Sequence, residues 1–315
     1  MLSATAATAA AASALASCGP SGGQIAAQSS AARSAANSAV AAASAGPPIA
    51  TSSAPSSWTL AAFEEAMSAS GRPAKLSQAQ FDAIQARKVT ALERIRKYLI
   101  ERLKAADESV MAAFQAIPRE YYHYDYADHI STATVAYEAE PKPWALGFGS
   151  ALSDYLGQAY MTQVAQPKAG QVTLEIGTGS GFQSSLLSRI VDHAYSIEII
   201  QPLGEAVGKI FKPLGYTNIT SRVGDGYFGW PEVKDGFDII IFTCAAQYAP
   251  PDLLKQLKPG GRMIIPIGQP FKRGQVLYIY TKDADGKVHS RRDMGVFFIP
   301  MTGQMMNAPR PAGVT

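Results

Sequence analysis

The chain has 315 residues, 47% of them hydrophobic and 17% charged, with a net charge of +3 at neutral pH. That apolar share is ample for a packed core, and the charge is too mild to argue for nucleic acid or an anionic membrane surface. No run offers the ~20 strongly apolar residues of a membrane-spanning helix, and two cysteines, Cys18 and Cys244, make no disulfide framework.

Residues 1–57 are mostly Ala, Ser, Gly and Thr, with Arg33 as the only charged side chain. Such a segment buries too little apolar surface to offset the entropy of ordering, so it is expected to be a disordered tail. Leu15-Ala16-Ser17-Cys18 resembles a lipoprotein cleavage box, which would export the chain and anchor it through Cys18. Against export, residues 1–17 hold no Lys or Arg, and a signal peptide normally opens with positive charge. A cytoplasmic location is the main expectation.

Helices are expected over residues 59–68 and 78–104, the latter on Phe81, Ile84, Val89, Leu92, Ile95, Leu99 and Leu103 at spacings near 3.6. A third helix, 107–115, has Asp107 as its N-cap. Pro141, Pro143, Gly147 and Gly149 mark residues 131–149 as loop, and a helix is expected over 153–164. From Gln171 onward short apolar runs alternate with helical stretches. Strands are expected at 172–176, 194–199, 219–223, 237–243, 262–266, 276–281 and 296–300, with helices at 183–191, 201–214 and 251–257. The run 237–243 is apolar but for Asp238 and Thr243, as in a central parallel strand buried on both faces. Alternating strands and helices give right-handed crossovers and a doubly wound α/β sheet of Rossmann-like type, with extra N-terminal helices. The expected division is a 1–57 tail, a 58–104 helical extension, a 105–305 catalytic domain and a 306–315 tail.

Glu175-Ile176-Gly177-Thr178-Gly179-Ser180-Gly181 follows a strand and opens a helix. Gly177 and Gly179 allow a tight turn and close approach of a ligand to the backbone. An acid two residues before the first glycine suits a ligand with an amino-acid end, because Glu175 can hold an ammonium. Glu198 ends the next strand, where a carboxylate can accept both ribose hydroxyls. Asp225, followed by Gly226 after the third strand, can accept from an adenine amino group. Each feature alone has a plain explanation as a turn or a solvated acid. Three acids at successive strand ends, where open sheets bind ligands, together favour an adenosyl ligand.

From about residue 101 to 303 the chain resembles the protein-L-isoaspartate (D-aspartate) O-methyltransferases. The stretch from Val172 to Gln183 is similar to that family's first motif. Val223-Gly224-Asp225-Gly226-Tyr227 with Gly229-Trp230-Pro231, Leu257-Lys258-Pro259-Gly260-Gly261-Arg262, and Phe298-Ile299-Pro300-Met301-Thr302-Gly303 resemble its other signatures. The resemblance implies a methyltransferase fold, S-adenosyl-L-methionine as methyl donor, and isoaspartyl peptides or proteins as acceptors, with repair of damaged proteins as the role. It implies cofactor contacts at Glu175, Gly177, Thr178, Gly179, Gly181, Glu198, Asp225, Gly226 and Thr302. No metal is implied, and the four His are scattered.

The family's active-site segment reads Gly-Tyr-Gly-Gln-Thr-Ile-Ser-Gln-Pro. Here it is Gly147-Phe148-Gly149-Ser150-Ala151-Leu152-Ser153-Asp154-Tyr155. Ser153 matches the serine assigned as catalytic in the family; as a bare residue it is equally explained as a helix N-cap. The family's Gln, Thr and Pro are replaced by Ser150, Ala151 and Tyr155. That departure leaves two further readings: a methyltransferase of the same fold acting on another carboxylate or a dedicated peptide partner, and a non-catalytic S-adenosylmethionine-binding protein.

Overall fold

The computed structural model describes residues 58–307 apart from 271 and 273; the expected 1–57 tail with Cys18, and residues 308–315 of the C-terminal tail, lie outside the described residues. Helix α1 (Leu60–Ala69) and helix α2 (Gln78–Leu103) come first. Ser77 opens α2 with a reciprocal cap: its hydroxyl accepts from the Gln80 amide while the Gln80 side chain accepts from the Ser77 amide. Helix α3 (Glu108–Ala116) starts as expected at Asp107, whose carboxylate accepts from the Ser109 and Val110 amides.

Val89, expected on the apolar face of α2, is 60% exposed, and the buried residue is Ala91. A helix turns about 100° per residue. Val89 therefore stands well round from Ile84, while Ala91, two turns on, lies almost above it.

Strands β1 (Tyr124–Asp125) and β2 (Ile130–Ser131) form a small ladder, and β3 (Trp144–Gly147), inside the segment expected to be loop, pairs with β4 (Ser150–Leu152) just beyond it. Helix α4 (Tyr155–Ala165) follows. Its N-cap is Asp154, which accepts from the Gly157 amide at 2.7 Å. The helix thus begins two residues later than expected, and the Ser153 hydroxyl is not spent on capping it.

The main sheet comprises β5 (Val172–Ile176), β6 (His193–Glu198), β7 (Ile219–Val223), β8 (Phe237–Phe242), β9 (Leu257–Ile267), β10 (Gln275–Lys282) and β11 (Val288–Val296), in the order β11-β10-β9-β8-β5-β6-β7. β7, β6, β5, β8 and β9 run parallel, and β10 and β11 form an antiparallel hairpin at one edge. The crossover helices are α5 (Phe182–Ser188), α6 (Gln201–Val207) and α7 (Pro251–Gln256). β5 has β6 on one side and β8 on the other, so the strand order reverses beside it, which is where open sheets form a ligand crevice.

The final strand is not 296–300 as expected but Val288–Val296, the partner of β10 across the Asp285-Gly286 turn. The polar and charged block His289–Asp293 suits an exposed edge strand, whereas Phe297 and Ile299 are large apolar residues 70% and 37% exposed. Pro300 has no N–H to give a ladder. Residues 299–301 instead leave the edge and pair with Ala245 alone, the Ala245 and Met301 amides donating across at 2.8 Å each.

The hydrophobic core has parts on both faces of the sheet. On one face, Phe63, Met67, Ile84, Ile95 and Leu99 of α1 and α2 join Phe114, Tyr121, Tyr122 and Phe182 in a single cluster. On the other, Leu174, Ile176, Phe237 and Met263 pack with Leu253 and Met305. Among the described residues no helix is long and apolar enough to cross a membrane.

Candidate active site

A cavity of about 380 Å³ opens at the C-terminal ends of β5 and β6. Its walls come from four connections: Gly177 and Gly179 after β5, Glu198 at the end of β6, Asp225 and Gly226 after β7, and Thr243 and Cys244 after β8. Residues 299–302 and the β3–β4 hairpin at 148–151 close it.

Gly177 adopts a positive φ of 94°, and a β-carbon there would meet the Thr243 hydroxyl at 2.7 Å. A bare backbone is what lets β5 and β8 approach at this point, and it leaves main-chain groups bordering the cavity.

Glu198 is 4% exposed. Its Oε2 accepts from the Gly179 amide at 2.8 Å and its Oε1 from the Ile200 amide at 3.0 Å. Burial raises its pKa, opposed by these backbone N–H donors. A carboxylate fixed in this way keeps lone pairs for two further donors, as the cis hydroxyls of a ribose provide. Asp225 is held similarly: Oδ1 accepts from the Tyr227 amide at 2.9 Å and Oδ2 from the Gln304 amide at 2.7 Å. Thr302, two residues before Gln304, lines the same cavity.

Of the expected cofactor residues, Gly177, Gly179, Glu198, Asp225, Gly226 and Thr302 line this cavity; Glu175, Thr178 and Gly181 do not. Glu175 is 1% exposed and lies beneath the turn. Its Oε2 accepts from the Ser184 and Ser196 hydroxyls, and the Thr178 hydroxyl is 2.7 Å from that of Ser196. Burial pushes the Glu175 carboxyl up to about 8 despite the two serine donors, and its Oε1 has no hydrogen-bond partner. Bonded to serines on α5 and β6, Glu175 braces the turn from below. Gly181 faces Phe211, whose ring would be 2.9 Å from a β-carbon there.

Ser153 lines a second cavity of about 390 Å³, with Tyr98, Tyr160, Phe297 and Phe298 among its walls. The two cavities share Ala151, Thr243 and Ile299. Sequence reasoning had not placed Thr243, Ile299 or Tyr98 in a site. Thr243 was legible only as the last residue of an apolar strand, and Tyr98 only as a member of a helix. Cys244 is 8% exposed at the wall of the first cavity. Burial, with Glu198 and Glu175 nearby, pushes its thiol far up, so it stays protonated and is no nucleophile. No group of three or more His, Cys, Asp or Glu suited to a metal ion occurs among the described residues.

A small-molecule cavity of this size, with two fixed carboxylates and a glycine-lined turn, fits an adenosyl ligand. Comparison with known proteins agrees. The family model described as Protein-L-isoaspartate(D-aspartate) O-methyltransferase matches residues 92–306. A protein-L-isoaspartate O-methyltransferase from Nitrosospira multiformis is 41% identical over 218 residues, 67% of this chain and 88% of that protein. One from Syntrophobacter fumaroxidans is 39% identical over 225 residues, 71% of this chain and 87% of that protein. A solved protein-L-isoaspartate O-methyltransferase superposes with a TM-score of 0.60 at 25% identity, covering 69% of this chain and 67% of that one. A Plasmodium falciparum structure containing S-adenosyl-L-homocysteine has a similar fold, with a TM-score of 0.55 at 21% identity over 68% of this chain and 97% of that one. The chain belongs to the protein-L-isoaspartate(D-aspartate) O-methyltransferase family.

Proposed function

We propose that the chain methylates the free α-carboxylate of L-isoaspartyl residues in damaged polypeptides, with Ser153 orienting the acceptor. The observation that carries this reading is the meeting of two cavities at Ala151, Thr243 and Ile299, one lined by Glu198 and Asp225 and the other by Ser153. S-adenosyl-L-methionine, the methyl donor, supplies an electrophilic methyl on a sulfonium sulfur. Glu198 would accept the ribose hydroxyls, and Asp225 with Thr302 would border the adenine. An isoaspartyl α-carboxylate is ionised at neutral pH, so no strong general base is needed. The protein's part is to hold two reactants in line and exclude water. The Ser153 hydroxyl donates to one carboxylate oxygen while the other bonds to the methyl carbon and the carbon–sulfur bond breaks. The methyl ester then favours ring closure to a succinimide, whose hydrolysis returns part of the residue to normal aspartate.

A second reading rests on the changed loop. Ala151, at the junction of the cavities, has no hydroxyl, and Tyr155 is buried with its phenol donating to the Glu138 carbonyl at 3.0 Å. A loop rebuilt in this way favours a different carboxylate or a particular peptide partner.

One experiment separates these readings. The protein is incubated with methyl-labelled donor, an isoaspartyl peptide and its normal aspartyl twin. Label on the isoaspartyl peptide alone is the expected outcome; equal label on both, or none, would sink the repair reading. Donor binding without transfer to any acceptor would point to a non-catalytic protein. In the same assay Ser153→Ala is expected to lower turnover by about 10–100-fold, the worth of a hydrogen bond to a charged group; unchanged turnover would remove its role. A cytoplasmic location is part of the proposal, because the donor is made there. It is tested by mass spectrometry of the mature N-terminus, where a lipidated Cys18 would overturn it.

A further inference from the structure

Residues 58–91 precede the family match, which begins at residue 92. They nevertheless reach the acceptor side through part-buried hydrogen bonds to Glu120. Trp58 Nε1 and Gln85 Nε2 donate to the same oxygen, Glu120 Oε1, at 2.8 and 2.6 Å. The Tyr137 hydroxyl donates to Glu120 Oε2 at 3.1 Å and accepts the Arg119 backbone N–H at 2.9 Å. The Arg119 side chain then makes three bonds of its own: Nε to the Ala136 carbonyl at 3.2 Å, Nη1 to Gln158 Oε1 at 2.6 Å, and Nη2 to the Ser153 carbonyl at 2.6 Å.

Both charged residues are out of solvent, Glu120 at 0% and Arg119 at 2% exposure. Burial lowers the Arg119 pKa to about 10, so the guanidinium is still charged at neutral pH. A buried charge is tolerated only where its hydrogen bonds are met, which fixes it tightly among its acceptors. The guanidinium is a rigid planar fork, and two of its arms bridge Ser153 to Gln158 on α4. The Ser153 backbone is thereby locked to the helix that follows it. No cap does this, since Asp154 caps α4.

We infer that Arg119 is a positioning residue for Ser153, and that Trp58 and Gln85, from the segment before the family match, hold it in place through Glu120 and Tyr137. The inference rests on the proposed role of Ser153, and its test is chosen so that the two can fail separately. In the full chain, Arg119→Lys is expected to lower kcat by about 10–100-fold, because an ammonium cannot span three acceptors and a misplacement near 1 Å costs about that much. Donor Kd is expected to stay within about twofold, since Arg119 does not line the donor cavity. Arg119→Met should lose more turnover than Arg119→Lys.

Removing a buried guanidinium can unfold the chain, so Gln85→Leu, at a half-buried position, is a third variant. It is expected to lower kcat by about 3–10-fold. In Arg119→Lys and Gln85→Leu amide hydrogen exchange at residues 150–154 should speed up while exchange in β5 stays unchanged. Folded variants with wild-type kcat and unchanged exchange at 150–154 overturn the inference. So does equal acceleration in β5, which marks a merely structural role. If the unaltered chain fails to label isoaspartyl peptides, the functional reading falls, and the exchange result still decides the positioning.

Discussion

At the scale of single residues, the two acids flanking the glycine turn have opposite lives. Glu198 faces the donor cavity with its oxygens pinned by backbone amides. Glu175, two residues before Gly177, is buried beneath the turn and bonded to Ser184 and Ser196. Its folded pKa of about 8 stands above the ordinary 4.5. The folded state therefore holds a proton that the unfolded state releases between these values. The stability this carboxyl contributes is complete below about pH 4.5 and drains as pH rises towards 8. Glu175→Gln keeps an acceptor for both serines and cannot ionise. Urea unfolding of the two proteins should give matching stability near pH 4.5. A gap in favour of the variant should then open by at most about 1.4 kcal/mol per pH unit up to pH 8. Parallel profiles would show that the carboxyl is already ionised in the fold.

At the scale of elements, the proposed donor site is completed by a segment that is neither helix nor strand. Residues 297–303 leave the sheet edge after β11, pair once with Ala245 and lead into a short helix, Gln304–Asn307, whose Gln304 amide donates to Asp225. Gly303 makes this turn possible: its φ is +71°, and a β-carbon would stand 2.4 Å from Asp225 Oδ2. Gly303→Ala forces either left-handed strain or loss of the Gln304–Asp225 bond, about 1–3 kcal/mol in either case. Donor Kd measured by calorimetry should rise by about 10–100-fold with the sheet intact. An unchanged Kd would mean that this segment does not shape the donor site.

For the whole molecule, α1 and α2 bury their apolar faces in the same cluster as Phe114, Tyr122 and Phe182 of the catalytic fold. We propose that the segment expected as a 58–104 extension folds together with the sheet as one cooperative unit. Ile84 is 0% exposed, and Ile84→Ala should cost about 2–5 kcal/mol. The loss should appear in one urea transition, the same by circular dichroism and by hydrogen exchange in β5. An early, separate transition of the helices would show that they are an appended unit.

The sequence by itself determined the parts that depend on local periodicity and on backbone chemistry. Six of the seven strands, the run 237–242, the glycine turn and the acids at strand ends are readable, because apolar period and strand order follow from neighbouring residues, whereas the polar edge strand at 288–296 carries no such period. It also carried the family, through motifs that stay contiguous along the chain. Tertiary structure alone decided which way side chains look. Glu175 and Glu198 each lie near the end of a strand, yet one is sealed under serines and the other opens to a cavity, a difference set by what packs above them. Ser153 read equally well as a helix cap until Asp154 was seen to take that place. The meeting of two cavities at Ala151, Thr243 and Ile299, and the link from Trp58 to Ser153 through Glu120 and Arg119, join residues far apart in the chain. Such contacts exist only once the chain has closed on itself, and no local pattern encodes them.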